Sequence, residues 1–170
     1  MPTIPEAVPS RGEDRERQVQ TIFSEIAPRY DLLNHVLSMN IDRAWRRRAV
    51  DTLQWPRPPH GLYLDACAGT FDLSRALARR PDFRGRGVAS DVARPMRVAG
   101  QDKLEGAAVA PVCGDSLRLP VPDDSFHGAT VGFGVRNLSD LDAGFAEFHR
   151  VLKPGGRLVV LEFTVPPNAF

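Results

Sequence analysis

Residues Leu62 to Ser74 read LYLDACAGTFDLS: a short apolar run ending in an acidic residue, then small residues and a glycine, then a helix-compatible stretch. That order predicts a strand, a tight turn and the first turn of a helix. In an open α/β sheet, ligands bind beyond the carboxyl ends of the strands, where backbone with little side-chain bulk approaches them and a helix N-terminus offers N–H groups. Asp65 closes the strand here, and Ala66, Ala68, Gly69 and Thr70 supply the low bulk. Small residues after a strand occur in any α/β domain, so a partner residue is needed. After a helix over about Asp72 to Arg80, Gly85 to Ser90 reads as a second strand with Asp91 at its end. A carboxylate roughly 20 residues beyond the turn is placed to accept both hydroxyl hydrogens of a ribose. The same position suits an N-cap for the next helix.

The rest of the chain repeats the alternation of strand and helix, which implies a parallel sheet with right-handed crossovers. Pro95 to Leu104 is a helix weakened by Gly100. Ala107 to Cys113 is a third strand, and Gly114, Asp115 and Ser116 form a loop on the ligand side. A turn over Leu119 to Gly128 leads to a fourth strand, Ala129 to Phe133, followed by GFGVRN. Asp140 to Leu152 is an amphipathic helix through Leu141, Phe145, Phe148, Val151 and Leu152. KPGG, Lys153 to Gly156, turns it into a last strand, Arg157 to Phe163.

Ahead of the sheet, prolines and glycine in the first twelve positions and mixed charges after them make residues 1–17 a flexible leader. Val19, Ile22, Phe23 and Ile26 recur at helical spacing over Glu13 to Ala27. Leu32, Leu33, Val36, Leu37 and Met39 belong to a second short helix, and Ile41 to Trp55 to a third. That third helix carries Arg43, Arg46, Arg47 and Arg48, read as a solvated face with Trp45 and Val50 turned inward; contact with an anionic membrane surface is the alternative. WPRPPH, Trp55 to His60, cannot continue a helix and connects into the sheet.

A chain of 170 residues makes one domain the default. With 22 Lys and Arg against 21 Asp and Glu there is no basic excess to suggest nucleic acid, which points to a small-molecule partner. Cys67 and Cys113 show no C-x-x-C pairing and read as reduced thiols of a cytosolic protein. No run is long enough to span a membrane and the N-terminus lacks the pattern of a secretory signal, so a soluble, cytoplasmic chain is expected.

Several stretches resemble one family: the S-adenosylmethionine-dependent C-methyltransferases of menaquinone and ubiquinone biosynthesis. They are FSEIAPRYDLLNHVLSMNIDRAWRR, LDACAGT, GDSLRLPVPDDSF, GFGVRNLSD and HRVLKPGGRLVVLEF, in the family's order. LKPGG alone indicates only the wider class I methyltransferases; APRYDLLN and GFGVRN are more specific. The resemblance implies a Rossmann-like domain over residues 18–170 with N-terminal helices, and S-adenosyl-L-methionine as cofactor. It implies a polyprenylated quinol as acceptor, methylated without a metal, at a site peripheral to the inner face of the membrane. Position by position, it puts Gly69 and Thr70 on the methionine part of the cofactor, Asp91 on the ribose and Asp115 and Ser116 beside the adenine. Asp65 and Gly132 also fall at cofactor positions. Arg136 and Asn137 fall near the quinol, with Arg136 stabilising the developing phenolate as a donor, since an Arg is a poor base. Tyr30, Asp31 and Asn34 resemble the part that closes over cofactor and acceptor. On the residues alone, Asp115 equally suits a turn cap, Arg136 an ion pair with Asp140, and Tyr30 a core position.

Two departures qualify the resemblance. The family's G-T-G-D is here Gly69, Thr70, Phe71, Asp72. A ring where a Gly allows close approach is expected to obstruct the methionine end of the pocket, unless it points into the helix–sheet interface. The chain also ends before the two strands that complete the seven-stranded sheet of the class. That leaves LVVLEF as an apolar edge, in a fragment or in a chain whose edge a partner copy covers, as in a homodimer. A nicotinamide-dependent oxidoreductase fits poorly because G-x-G-x-x-G is absent, and a catalytically impaired scaffold is the non-enzymatic alternative.

Overall fold

A computed structural model describes residues 21–22, 26–53 and 60–164. The leader, most of the first expected helix and most of the proline connector lie outside these residues. A 3-10 turn over Ala27–Arg29 leads into α1, Tyr30–Leu37, and then α2, Asp42–Leu53. Five strands follow: β1 Leu62–Ala66, β2 Arg86–Ser90, β3 Val109–Val112, β4 Phe126–Gly132 and β5 Leu152–Leu161. Helices α3 Asp72–Ala78, α4 Arg94–Gly100 and α5 Leu141–Val151 lie between them.

All pairings are parallel and the sheet order is β3-β2-β1-β4-β5, the doubly wound arrangement of class I methyltransferases. The order reverses between β1 and β4, so the loops leaving those strands part and open a crevice at their carboxyl ends. Side chains alternate across β1. Tyr63 packs with Val50, Leu53, Leu73 and Leu77 of α2 and α3 on one face, and Leu64 and Ala66 pack with Phe148 and Val151 of α5 on the other. Burial on both faces explains why the strands read as nearly continuous apolar runs.

Several boundaries differ from the sequence reading. Phe126 to Gly128 belong to β4 and not to the preceding turn, because Phe126 is fully buried against α5. The KPGG segment is no free turn: Leu152 already pairs with Phe126, and Lys153 to Gly156 form an irregularity before Arg157 resumes opposite Gly128. Gly155 takes a φ of +79° there. The expected helix over Pro95 to Leu104 is α4 plus a 3-10 turn over Gln101–Leu104. Gly100 lies against the loop after β1, where an added Cβ would come 2.5 Å from the Thr70 carbonyl oxygen.

The Arg-rich face of α2 is also not uniformly solvated. Arg43, Arg47 and Arg48 are exposed, but Arg46 is 9 % exposed. It ion-pairs with Asp42 at 3.4 Å and Asp72 at 3.3 Å, because its side of α2 packs over the start of α3.

Candidate active site

The loop after β1 is wound by an alternation of handedness. Cys67, Gly69 and Phe71 take φ values of 51°, 54° and 68°. Only Gly takes that region without steric cost, so two of the three carry strain. Hydrogen bonds compensate: Ala68 N–H donates to the Ser90 carbonyl at 3.0 Å, Gly69 N–H to Asp91 Oδ2 at 2.8 Å, and Phe71 N–H to the Ala68 carbonyl at 2.8 Å. The Phe71 ring is fully buried between Ala89 of β2 and Leu104, with Ala68 and Val109 around it. It therefore points into the helix–sheet interface, and the expectation that it obstructs the pocket is corrected. The left-handed backbone turns its Cβ toward the sheet.

Above this loop lies a cavity of about 130 Å³ at the carboxyl ends of β1 to β4. Cys67 and Gly69 line its floor, Asp91, Val92 and Ala93 one side, and Gly114 to Leu117 another. Gly132 to Gly134 and Asn137 to Ser139 close the β4 end, and Tyr30 of α1 and Met96 of α4 stand over it. Of the residues singled out in the sequence, Tyr30, Gly69, Asp91, Asp115, Ser116, Gly132 and Asn137 meet here.

Their environments differ. Asp91 accepts from Gly69 N–H and, at 2.7 Å, from Ala93 N–H, so it orders the turn into α4 as well as facing the cavity. Burial pushes its carboxyl above the usual range, opposed by those two N–H groups and by Arg97. Asp115 caps its own turn, Oδ1 accepting from Leu117 N–H at 2.9 Å, and is exposed at the cavity rim. Ser116 is buried, with Oγ 3.2 Å from Cys67 Sγ. Burial pushes the Cys67 thiol up to about 12, so it is a neutral wall. Tyr30 packs on Ala27, Ala93 and Met96 and also lines the cavity.

The other singled-out residues lie off the cavity. Asp65 sits beneath the loop, 5 % exposed, its Oδ2 accepting from Ser74 N–H at 2.9 Å and Ser74 Oγ–H at 2.6 Å and its Oδ1 from Thr130 Oγ–H at 3.1 Å. It holds β1, α3 and β4 together because alternation along β1 turns it to the α3 face. Burial pushes its carboxyl up to about 6, against those donors and Arg46. The Thr70 hydroxyl turns away and donates to Asp31 Oδ1 at 2.5 Å. Asp31 thus braces the loop from behind, and Asn34, one turn along α1, does not line the cavity either.

Arg136 lies just outside the β4 end, in the 3-10 turn Val135–Asn137. Its guanidinium is over the rings of Phe133 at 6.0 Å and Phe163 at 5.5 Å, and it ion-pairs with Glu162 at 3.4 Å, not with Asp140, whose carboxylate caps α5. Arg46 lies over the same Phe133 ring at 5.7 Å, and Trp45 meets Phe163 edge-on at 5.9 Å. Phe133 also lines the cavity, so it is the wall between the cavity and this half-open aromatic and cationic platform.

Sequence reasoning missed Lys103, Phe133 and Glu162. Phe133 carried a local signal, an aromatic residue between two glycines. Lys103 carried none, because its partners are tens of residues away in the chain.

The chain matches the ubiE/COQ5 methyltransferase family over residues 11–169. It is 47 % identical over 149 residues to a demethylmenaquinone methyltransferase of Thermus thermophilus, covering 86 % of this chain and 66 % of that protein. It is 40 % identical over 160 residues to a ubiquinone/menaquinone biosynthesis C-methyltransferase of Geobacter sulfurreducens, covering 92 % of this chain and 62 % of that one. The chain thus spans somewhat under two thirds of the length of these curated relatives. Among solved structures, the YcgJ protein of Bacillus subtilis shares the fold with a TM-score of 0.65 at 22 % identity, over 74 % of this chain and 53 % of that chain. The motif-bearing loops, the strand order and the family match over nearly the whole sequence agree: this chain belongs to the ubiE/COQ5 methyltransferase family.

Proposed function

We propose that this chain forms the cofactor-binding and reacting core of an S-adenosylmethionine-dependent C-methyltransferase acting on a demethylated quinol. Demethylmenaquinol is the leading acceptor, and the ubiquinol precursor is the second class named for the relatives. The single observation that carries this reading is the cavity at the sheet's switch point, with the Asp91 carboxylate on one wall and the Phe133–Arg136 platform beyond the opposite wall.

The residues present fit S-adenosylmethionine. Asp91 offers a carboxylate for ribose hydroxyls, and Val92, Met96, Leu117 and Leu138 make an apolar slot for a flat base. Asp115 and Ser116 stand beside that slot with polar atoms. Gly69, Gly132 and Gly134 line the cavity with backbone; an added Cβ at Gly69 would meet Met96 at 3.4 Å, one at Gly132 would run into Leu73 at 2.6 Å, and one at Gly134 into Cys67 at 2.4 Å. When bound, the cofactor supplies a methyl group activated by a sulfonium.

The chain's own part is orientation and charge. With the cofactor held there, loss of the acceptor's hydroxyl proton to water would make the carbon beside it nucleophilic enough to take the methyl the cofactor would supply, the ring proton leaving to solvent and the oxygen regaining a proton. Holding the two carbons in contact removes much of the entropic barrier. The Arg136 guanidinium donates to the acceptor oxygen and favours the phenolate left when the hydroxyl proton departs, and Asn137 holds the adjoining rim. Phe133 and Phe163, their ring centroids 5.0 Å apart, form the apolar bed that carries the Arg136 guanidinium.

A polyprenylated acceptor resides in a bilayer, and the same reading sets the protein against a membrane surface. Leu32, Val36, Leu37 and Met39 are exposed on α1 and the turn after it, at 64 %, 63 %, 80 % and 77 %. Arg29 before them and Arg43 and Arg47 after them are exposed and suited to anionic headgroups. No helix among the described residues is long and apolar enough to cross a membrane.

Two measurements test the proposal. Calorimetry with S-adenosylhomocysteine on the intact protein should give micromolar binding, and no binding removes the cofactor assignment. Quinones extracted from a host deleted for its own enzyme and complemented with the intact protein should be methylated. Retention of only the demethylated quinone removes the acceptor assignment.

A further inference from the structure

Behind the cavity loop runs a chain of charges of which the sequence resemblance singles out only Asp31. Lys103 Nζ lies 2.6 Å from Asp31 Oδ2, 2.6 Å from Asp72 Oδ1 and 3.1 Å from Thr70 Oγ1. Asp72 continues the chain through Arg46 to Asp42, which accepts from Ser38 Oγ–H at 2.9 Å. Three carboxylates and two cations are gathered there, mostly out of solvent. Their partners belong to different parts of the fold: Asp31 to α1, Thr70 and Asp72 to the loop after β1 and the start of α3, and Lys103 to the 3-10 turn after α4. Gly100 makes the meeting possible. It lets α4 pass against the Thr70 backbone, and Lys103, one turn later, then reaches over the loop.

We propose that Lys103 is a positioning residue for the cofactor cavity: by neutralising Asp31 and Asp72 together, it fastens α1 to the loop and holds Tyr30 over the cavity. This inference rests on the reading of that cavity as the cofactor site. The outward side chains of α1, Leu32, Val36 and Leu37, are exposed, and inward packing is centred on Tyr30 with Ala27, Ala93 and Met96. Removing Lys103 leaves Asp31 and Asp72 facing each other around the Thr70 hydroxyl without the cation between them. Two part-buried carboxylates left side by side without the cation repel each other, and Asp31, at 32 % side-chain exposure, is the one nearer to solvent. The cheapest response is for α1 to swing away, which takes Asp31 to water and Tyr30 off the cavity. Asp72 stays in place because Arg46 still neutralises it.

The test is a double-mutant cycle on the intact protein with Lys103→Met, Asp31→Asn and the pair together, read by amide hydrogen exchange and by calorimetry with S-adenosylhomocysteine. Lys103→Met should speed exchange in Tyr30–Leu37 by about tenfold or more while peptides of β1 and β4 keep their protection, since a local opening is a smaller event than global unfolding. Its affinity for S-adenosylhomocysteine should fall by about tenfold, and the double variant should be no worse than the worse single one, because both substitutions break the same link. Unchanged exchange in Tyr30–Leu37 overturns the proposal, as do exchange that rises equally throughout the protein and effects that add in the double variant. If the parent fails to bind S-adenosylhomocysteine, the cofactor reading fails, while the exchange data still decide whether Lys103 fastens α1. If Lys103→Met does not fold, Asp31→Asn, which keeps the Lys103–Asp72 pair, carries the same local readout.

Discussion

The backbone N–H of Gly69 donates to Asp91 Oδ2 at 2.8 Å, so the turn after β1 and the end of β2 are joined across the floor of the cavity. With the Ala93 bond, Asp91 serves two backbone donors before any ligand arrives. Asp91→Ala is therefore expected to do two things. Leaving both donors without that acceptor should lower stability by about 1–3 kcal/mol, and affinity for S-adenosylhomocysteine should drop by about two powers of ten. Thermal melting and calorimetry on the same samples separate these effects. Full affinity in the variant would sink the ribose assignment.

Phe71 is expected to matter for stability and not for binding. Removing the fully buried ring costs about 3–5 kcal/mol, while Gly at a φ of 68° regains about 1–2 kcal/mol of left-handed strain. Phe71→Gly should thus melt several degrees earlier, with unchanged affinity for S-adenosylhomocysteine. Phe71→Ala should melt earlier still, because it loses the ring and keeps the strained Cβ. Tighter binding by Phe71→Gly would restore the obstruction idea.

Asp65 makes stability depend on pH. Burial raises its folded carboxyl to about 6, above the unfolded value, so the folded state holds the proton more strongly. Its contribution is complete below the unfolded pKa and is lost as pH rises through about 6. Asp65→Asn mimics the protonated form. Its carbonyl can accept from Ser74, and its amide can donate to Thr130 Oγ1, which donates on to the Leu64 carbonyl. Relative to the parent, the variant should gain stability between pH 4 and pH 7, by an amount on the order of 3 kcal/mol. Denaturant melts at the two pH values measure this, and a pH-independent difference contradicts it.

Arg136→Ala should leave cofactor affinity nearly unchanged, because the guanidinium lies outside the cavity over Phe133 and Phe163. Methyl transfer should fall by roughly two to three powers of ten, the scale for losing one donor to a developing oxyanion. Single-turnover rates with saturating cofactor provide the check, and an unaltered rate removes Arg136 from the mechanism.

Leu37→Glu with Met39→Glu should abolish sedimentation with vesicles containing anionic lipid and leave S-adenosylhomocysteine binding as it is. Both side chains are among the most exposed apolar groups described, and neither lines the cavity. Equal sedimentation of parent and variant counts against this surface.

The skeleton of the sheet and the cavity floor were legible because they depend on local pattern. Apolar runs marked β1, β2 and β4, and the spacing from Gly69 to Asp91 reflected a direct hydrogen bond between them. Side-chain direction was not legible in the same way. Asp65 and Asp91 are both acidic residues at strand ends, but alternation along β1 turns the first under α3, while Asp91 follows the last residue of β2 and opens to the cavity. Arg46 looked like its neighbours Arg47 and Arg48 until the start of α3 supplied Asp72 across from it. The start of β5 was hidden because KPGG has turn composition yet lies within a strand pairing, where Gly155 absorbs the irregularity.

Phe133 belongs to two compartments at once, with one boundary on the cavity and Arg46 and Arg136 over its ring on the platform side. Its backbone is held in the left-handed region at a φ of 57° and tied to β5 through its N–H to the Leu161 carbonyl at 2.8 Å. A shared partition of this kind cannot be pushed from one side without being felt on the other. Whatever free energy a ligand in the cavity spends or gains in setting that ring is returned in the affinity of a ligand on the platform, by the same factor in both directions. A ligand in the cavity and a ligand on the platform would then be linked through one benzyl group.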